Sequence, residues 1–454
     1  MTRQSVFAPP HRALTLGVIL SVSTVAFESL GVATVLPDVA RQLDGLGSYG
    51  WGLSALMLAN IVGTVLAGRA ADRSGVRRPL ATGLLVFAAG CVLAGTAGGW
   101  PVFLLGRFVQ GLGVGAIMAI AYTVISLAYP EHLRARMFAL LSSAWTVPSL
   151  IGPVLAGTLT EHTTWRAVFL LVPPLVAIAA RLTLPALPAP ATAAGQGPAG
   201  RDRGPLLAAG ALTLGTALFL QALLLRNVPA LLLLALAGLA LAVPALRRVT
   251  PEGTLTLRRG IGAGVAVRGL LCAVYFGSEA FLPLGLQEVR GLGATLAGLG
   301  LAAGAVTWVA GSALQARRDS AVPGARGRGT ALGFAVLLAG VALIALALAS
   351  DAVPAQLAIA GWAIGGLGMG MAFNASTTDT LEQTPAARQG EVSSALQLAQ
   401  TLATAVVAGL GGAAVAAAGD GVDGTRAALL ATFAFTGLLA ALGVLLAGRL
   451  RARG

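Results

Sequence analysis

Charged residues are scarce in this chain of 454 residues. Asp, Glu, Lys and Arg together make up 10% of the sequence, whereas hydrophobic residues make up 56%. A soluble globular domain carries about 25% charged residues, so this composition cannot cover the surface of a soluble protein of this size. It excludes a cytosolic enzyme, a secreted domain and a disordered chain. The class that remains is a polytopic membrane protein.

Lysine is absent, so all 30 basic residues are arginine, against 17 acidic residues. In a soluble protein the net charge of +13 would favour nucleic-acid binding. In a membrane protein the same positive charge is explained by the excess of arginine in cytoplasmic loops. We therefore expect no nucleic-acid partner. Histidine and cysteine are also rare, and their spacing resembles no metal site. We therefore expect no metal, and buried thiols at Cys91 and Cys272.

Fourteen stretches are long and apolar enough to cross a bilayer, which takes about 20 helical residues. They cover residues 13–36, 50–69, 79–98, 101–125, 137–159, 166–186, 205–225, 228–246, 260–286, 294–314, 329–350, 355–376, 391–417 and 425–448. Arg226, Asn227 and Pro229 interrupt the apolar run 205–246 and predict two helices there rather than one. The predicted fold class is all-α, a polytopic membrane protein with 14 transmembrane helices.

The arginines predict the orientation of these helices. With the N-terminus inside, 23 of the 30 arginines lie in cytoplasmic segments or helix ends and five lie outside. Arg107 and Arg268 fall within helices. We expect a multi-pass protein with both termini in the cytoplasm. The Arg-only, Ala- and Gly-rich composition suggests a GC-rich bacterial genome, hence the bacterial plasma membrane.

A glycine pattern recurs in the two halves of the chain. The segment from Gly106 reads GRFVQGLGVG and the segment from Gly361 reads GWAIGGLGMG, and a proline follows each at the same offset of 255 residues. The matching positions are Gly106, Gly111, Gly113, Gly115 and Pro130 with Gly361, Gly366, Gly368, Gly370 and Pro385. We infer a duplication, with six-helix bundles at 1–186 and 260–454 and a linker carrying two additional helices at 187–259. Paired six-helix halves are typical of transporters.

The segment GRAADRSGVRR, from Gly68 to Arg78, resembles the G-x-L-a-D-r-x-G-r-k signature of the major facilitator superfamily. Asp72 and Gly75 lie in the matching places. In that family the loop holds the two halves in the outward-facing state, while glycine permits a tight turn. The alternative is an ordinary basic loop. The resemblance assigns a conformational switch to Gly68, Asp72, Arg73, Gly75 and Arg77.

A second motif, PSLIGPVLAG from residue 148, resembles the G-x-x-x-G-P-x-x-G-G motif of the antiporters of this family. Gly152, Pro153 and Gly157 match and join the expected switch residues, whereas Pro148 and Ala156 replace two of the usual glycines. Small residues let helices approach closely and proline bends them. In the family this motif marks export.

Glu28 lies nine residues before Pro37, a spacing found in the fourteen-span drug:proton antiporters. The stretch from Trp165 to Pro173 also resembles the start of their sixth helix. The chain is therefore identified by resemblance with that family, which implies the major facilitator fold with 14 transmembrane helices arranged as 6 + 2 + 6. It further implies a proton gradient as the energy source and no other cofactor.

Charged residues inside a membrane are costly and mark functional sites. We expect Glu28 to pair with Arg107, and these two residues and Glu279 to couple protons to transport. The alternatives are a structural Glu28 bonded to Ser23 or Ser29, and a purely structural ion pair. Arg268 either faces a cavity together with Glu279 or extends to the membrane surface.

The expected substrate cavity consists of polar and aromatic residues from several helices, because such surfaces suit flat or apolar molecules. The candidates are Trp145, Arg268, Tyr275, Trp308, Trp362, Asn374 and Gln397, with Gln221 and Gln400 as further possibilities. Asp379 and Glu391, near Arg388, are interpreted as loop charges.

These features predict proton-coupled export of small hydrophobic or drug-like molecules across the plasma membrane by alternating access. A dedicated exporter of a secondary metabolite, peptide or lipid is the alternative. An intramembrane enzyme or receptor is a remote one, because no catalytic or nucleotide-binding motif is present. The expected partners are the lipid bilayer, a small-molecule substrate and protons, and we expect a monomer.

Overall fold

A computed structural model describes residues 6–130, 133, 136, 137, 140, 141, 143–187, 204–321, 326–385, 388–419 and 421–450. In these residues the regular secondary structure is helical. The α-helices are α1 (Pro9–Gln42), α2 (Trp51–Ser74), α3 (Arg77–Gly95), α4 (Trp100–Ala128), α5 (Thr146–His162), α6 (Arg166–Leu170), α7 (Val172–Thr183), α8 (Gly204–Ala222), α9 (Val228–Val249), α10 (Ile261–Glu279), α11 (Leu282–Leu284), α12 (Ala294–Ala321), α13 (Arg326–Ala349), α14 (Gln356–Glu382), α15 (Gln389–Ala417) and α16 (Val422–Leu446). Short 3₁₀ helices cover Leu46–Ser48 and Ala447–Arg449, and a π-helical turn covers Gly285–Val289.

Within the described residues, 13 helices are long and apolar enough to cross a membrane. Each of them overlaps one of the fourteen stretches predicted from the sequence. The stretch without a counterpart in this set is 137–159, where α5 extends over only 17 residues and several of the preceding residues lie outside the described part. The protein is thus an all-helical multi-pass membrane protein, while the count of 14 and the 6 + 2 + 6 arrangement stay predictions.

The chain divides into two compact units. Unit 1 consists of residues 1–35 and 55–210, and unit 2 consists of residues 36–54 and 211–454. In unit 1, α3 packs against α4 and against α6 and α7. The predicted boundaries at 187 and 260 stay a prediction.

In unit 2, α14 packs against both α12 and α13, while α10 packs against α14, α15 and α16. This unit also includes the end of α1 and the start of α2. The Ser54 hydroxyl donates to the Ala405 carbonyl at 2.8 Å, and the Tyr49 hydroxyl donates to the Ala280 carbonyl at 3.2 Å. Side-chain bonds therefore attach residues 36–54 to the rest of unit 2.

The recurring glycines occupy equivalent helix contacts in the two units. In α4, Gly111 and Gly115 face α2 while Gly106 and Gly113 face α3; in α14, Gly366 and Gly370 face α12 while Gly361 and Gly368 face α13. A Cβ atom on Gly111 would overlap the Leu56 carbonyl oxygen, and one on Gly366 would overlap the Gly304 carbonyl oxygen. The helices approach as far as their backbones allow, which supports the inferred duplication.

Candidate functional site

A buried ion pair joins α1 and α4 in unit 1. The Arg107 guanidinium donates through Nη1 to Glu28 Oε1. Both side chains are inaccessible to solvent, at 1% and 0% exposure. The pair that the sequence predicted is therefore present, whereas its part in proton coupling stays a prediction.

Two further side chains extend this pair into a polar cluster. Arg107 Nη1 also donates to Gln110 Oε1 at 2.9 Å, and Gln110 Nε2 donates to Cys91 Sγ at 3.1 Å. Gln110 is not among the residues that the sequence predicted for this site. The signal was its position three residues after Arg107, which places both side chains on one face of α4. A Cβ atom on Gly90 would lie 2.5 Å from the Gln110 backbone nitrogen, so α3 packs directly over this cluster.

The second oxygen of the Glu28 carboxylate has no hydrogen-bond donor among the described residues. Glu28 Oε2 is buried and accepts no hydrogen bond from any residue that the structure describes. The Ser23 hydroxyl, one of the two expected alternative partners, donates instead to the Ala144 carbonyl at 2.9 Å. A buried carboxylate is unfavourable when one of its oxygens accepts no hydrogen bond, because a buried charge needs compensating bonds.

Unit 2 contains a cluster of aromatic rings. The Tyr275 ring stacks on the Trp362 ring at 4.5 Å between centroids and meets the Trp308 ring edge-on at 5.2 Å. The Trp308 ring in turn contacts the Phe373 ring, with 5.3 Å between their centroids. The cluster thus joins α10, α12 and α14.

Arg268 lies at one end of the same cluster. Its guanidinium carbon is 3.5 Å from the centroid of the Phe373 ring, and Nη1 donates to the Thr377 hydroxyl at 2.9 Å. Arg268 is buried, so the expected alternative in which it extends to the membrane surface does not apply. A guanidinium stacked on an aromatic face keeps its charge within an apolar environment.

The two units use equivalent positions differently. The offset of 255 residues that relates the glycines also relates Arg107 to Trp362. Arg107 makes the ion pair of unit 1, while Trp362 makes the aromatic stack of unit 2. The Trp362 indole Nε1 is buried and has no hydrogen-bond partner among the described residues.

The remaining candidates do not join either cluster. Glu279 is half-buried and makes no hydrogen bond or ion pair with a described residue. Exposed side chains occur at Trp145, Gln221, Asn374 and Gln397, and Gln400 is half-buried.

Two acidic residues expected in loops differ in their surroundings. Asp379 is buried within α14 and accepts a hydrogen bond from the Gln383 amide at 3.2 Å, so its interpretation as a loop charge is wrong. Arg388 and Glu391 form an exposed pair, and the hydrogen bond to this carboxylate raises the pKa of the Arg388 guanidinium above its usual value.

The expected switch residues lie at two places in unit 1. Gly75 has a φ of 73° and forms the turn between α2 and α3, a backbone conformation that favours glycine. Asp72, Arg73 and Arg77 are exposed, and a Cβ atom on Gly68 would have no atom within 4 Å. In α5, the expected switch residues are buried, namely Gly152, Pro153 and Gly157.

Part of the chain is similar in sequence to proteins named for drug resistance, efflux or transport. Multidrug resistance protein 3 of Bacillus subtilis (strain 168) is 28% identical over 36% of this chain and 32% of its own length. Efflux pump mlcE of Penicillium citrinum is 32% identical over 37% and 31% of the two chains, and the Acurin A biosynthesis cluster MFS-type transporter of Aspergillus aculeatus is 27% identical over 36% and 30%. The matched stretch spans about a third of each relative.

Solved structures share the fold over nearly the whole chain. A bacterial homologue of the human lysosomal transporter Spinster, in an inward-facing and unoccupied conformation, has a TM-score of 0.67 at 16% identity, over 98% of both chains. The peptide transporter POT in complex with sulfate has a TM-score of 0.70 at 15% identity, over 96% of this chain and 94% of its own. The profile of the Major Facilitator Superfamily matches residues 16–408. The chain belongs to the major facilitator superfamily.

Proposed function

We propose that the protein exports small hydrophobic or drug-like molecules in exchange for protons, by alternating access. The observation that carries this proposal is the buried pair of Glu28 and Arg107, with Glu28 Oε2 left without a hydrogen-bond donor among the described residues. A charge pair removed from water costs free energy, and intramembrane acids are the usual carriers of protons in transporters.

In this proposal a proton from outside binds to Glu28 and neutralises its charge. The Arg107 guanidinium then loses its ionic partner but keeps Gln110 Oε1, which already accepts from Nη1 at 2.9 Å. Arg107 stays charged throughout, because a guanidinium does not release its proton in proteins. Release of the proton on the cytoplasmic side re-forms the ion pair and completes the cycle.

The aromatic cluster of unit 2 is the proposed surface for the substrate. Trp308 and Phe373 are half-buried and present flat apolar faces, Tyr275 is buried against Trp308, and Arg268 adds a positive charge at one end. Such a surface suits planar molecules that carry one polar or anionic group. Glu279, half-buried beyond Tyr275 on the same helix, is the proposed second site of protonation.

Export, rather than uptake, is supported by the motif at Gly152 and Pro153 and by relatives named as a multidrug resistance protein and an efflux pump. The distribution of arginine supports both termini in the cytoplasm, and the Arg-only, Ala- and Gly-rich composition supports a bacterial plasma membrane location. We further propose that the protein acts as a monomer.

The second candidate is a dedicated exporter of a secondary metabolite, peptide or lipid with the same fold. The observation that favours it is the relative named for the Acurin A biosynthesis cluster. The sequence places no acidic residue well inside the predicted helices between residues 294 and 448. Broad recognition of cations would therefore depend on few carboxylates.

Everted membrane vesicles with an acidic lumen test the coupling. Ethidium, one neutral dye and one aromatic carboxylate are added in turn, and proton release is followed by the fluorescence of a pH-sensitive amine dye. We expect the wild-type protein to release protons with at least one of these compounds. Glu28→Gln should release none while still exchanging labelled for unlabelled substrate without a gradient.

The matched control is Glu161→Gln, since Glu161 is an exposed glutamate of the same unit. It should behave like the wild-type protein. Proton release by Glu28→Gln at the wild-type rate would remove Glu28 from the coupling. Exchange without any proton release in the wild-type protein would refute proton coupling itself.

A further inference from the structure

A cavity of about 380 Å³ lies in unit 1 between α2, α3 and α4. It shares no residue with the cluster of Glu28, Arg107 and Gln110. Its wall comes from the second half of α2, the first half of α3 and one face of α4. The cavity is therefore a separate feature of this unit.

The polar and apolar parts of the lining are separated along the helix axes. Ser74, Arg78 and Thr82 lie at the end where α2 turns into α3, and the rest of the wall is formed by aliphatic side chains, proline and glycine. From Gly63 to Ser74 the wall follows about eleven residues of α2, which is about 16 Å at a rise of 1.5 Å per residue. One leaflet of a bilayer has a hydrocarbon depth of about 15 Å, half of the full core. The cavity therefore has the length and polarity of one amphiphilic lipid.

The helices close this cavity at the end of Gly63 and leave it open at the side. A Cβ atom on Gly63 would overlap the Leu112 carbonyl oxygen, so α2 and α4 meet directly at that end. Leu66 and Thr82 are exposed, so the wall is accessible from the surface of the unit. Small residues such as Ala70 leave the space between these points unfilled.

The polar end of the cavity is positively charged. The Arg78 guanidinium makes no hydrogen bond or ion pair with any residue in the described part of the chain. Arg73 and Arg77 are exposed on the same turn, and Asp72 is the one acidic residue between residues 63 and 86. Arginines at a membrane surface attract anionic lipids.

We propose that this cavity binds an anionic phospholipid, with the phosphate group on Arg78 and one acyl chain along Leu66, Ala70 and Leu112. The unpartnered guanidinium at one end of a leaflet-deep apolar wall selects for this occupant over a zwitterionic lipid. The proposal requires only that the chain spans a membrane and does not depend on proton coupling.

The test measures lipid binding to the purified full chain in a neutral detergent by native mass spectrometry. Dioleoylphosphatidylglycerol and dioleoylphosphatidylcholine are titrated separately. The wild-type protein should retain at least one phosphatidylglycerol several-fold more tightly than phosphatidylcholine. Arg78→Gln should weaken that binding about fivefold, whereas Arg181→Gln, an exposed arginine of the same unit outside the cavity, should not change it.

A second pair of variants tests the apolar wall without altering charge. Ala70→Phe should displace the lipid because the ring occupies the cavity, while Leu85→Phe, at a side chain 70% exposed and outside the cavity, should leave binding unchanged. Equal affinity for the two lipids, or equal losses in Arg78→Gln and Arg181→Gln, would overturn the proposal. Loss of bound ethidium but not of phosphatidylglycerol in Ala70→Phe would also overturn it and identify the cavity as a substrate entrance instead.

Discussion

Removing one partner of the buried ion pair should destabilise the protein much more than removing both. In Arg107→Met the Glu28 carboxylate stays buried but no longer forms an ion pair. In Glu28→Gln the Arg107 guanidinium keeps Gln110 but loses its counter-charge. In the double variant no charge is left in the cluster.

The burial of these side chains sets the size of the effect. Because Glu28 and Arg107 are 0% and 1% exposed, water cannot replace the missing partner. Breaking a buried pair on one side costs about 3–5 kcal/mol, whereas replacing both members by uncharged residues of similar size is often close to neutral. We therefore expect the two losses to be non-additive, with a coupling free energy of about 2 kcal/mol or more.

The pH dependence separates the two single variants. In Arg107→Met, lowering the pH protonates Glu28 and removes the buried charge, so the loss of stability should shrink as the pH falls. In Glu28→Gln the buried charge belongs to a guanidinium, which stays protonated throughout the accessible range. The loss of stability in that variant should therefore stay constant with pH.

The measurement is unfolding by sodium dodecyl sulfate in mixed micelles, followed by helical circular dichroism at pH 5 and pH 8. Since a chain with two compact units need not unfold in one step, the comparison uses shifts in the transition midpoint among the wild-type protein and the three variants. A double variant whose shift equals the sum of the single shifts would refute the reasoning, because the residues would then not interact.

Three further predictions concern packing, topology and the switch. Gly111→Ala should lower the unfolding midpoint markedly, since overpacking costs about 1–3 kcal/mol. Gly98→Ala should leave the midpoint unchanged, because a Cβ atom on Gly98 would have no atom within 4 Å. Equal shifts in the two variants would contradict the packing argument. Asn227→Cys should react in intact cells with a membrane-impermeant maleimide and Glu252→Cys should not; reaction of both would contradict the predicted orientation. Asp72→Asn should slow substrate exchange without weakening binding, measured by counterflow and by equilibrium binding, and unchanged exchange would argue against a switch in this loop.

Hydropathy predicted the helices well but not their ends. The first predicted stretch, 13–36, is contained in α1, which extends over Pro9–Gln42. The apolar run corresponds to the part of the helix that lies in the hydrocarbon core of the membrane. Backbone hydrogen bonds continue the helix beyond this part at both ends. Arg41, beyond the predicted stretch, is paired with Asp38 and Glu288 in unit 2.

The sequence predicted the pair of Glu28 and Arg107 because a charged side chain within an apolar helix is costly unless it pairs with an opposite charge. It did not predict Gln110, Phe373 or the burial of Asp379, because polar and aromatic residues in a helix become partners only when a particular face meets a particular neighbour. That information depends on helix rotation and contact, which hydropathy does not record.

The glycine repeat predicts where helices cross but not which side-chain interactions form beside the crossing points. The glycines at an offset of 255 residues predicted a duplication, and in the structure they occupy equivalent helix contacts, since a close backbone approach requires small residues at the crossing point. The same offset relates Arg107 to Trp362, yet one residue forms an ion pair and the other an aromatic stack. Small residues fix where the helices cross, and the large residue beside them is then free to differ. The glycine contacts are therefore alike at the two places, while the side chains of Arg107 and Trp362 take part in different interactions.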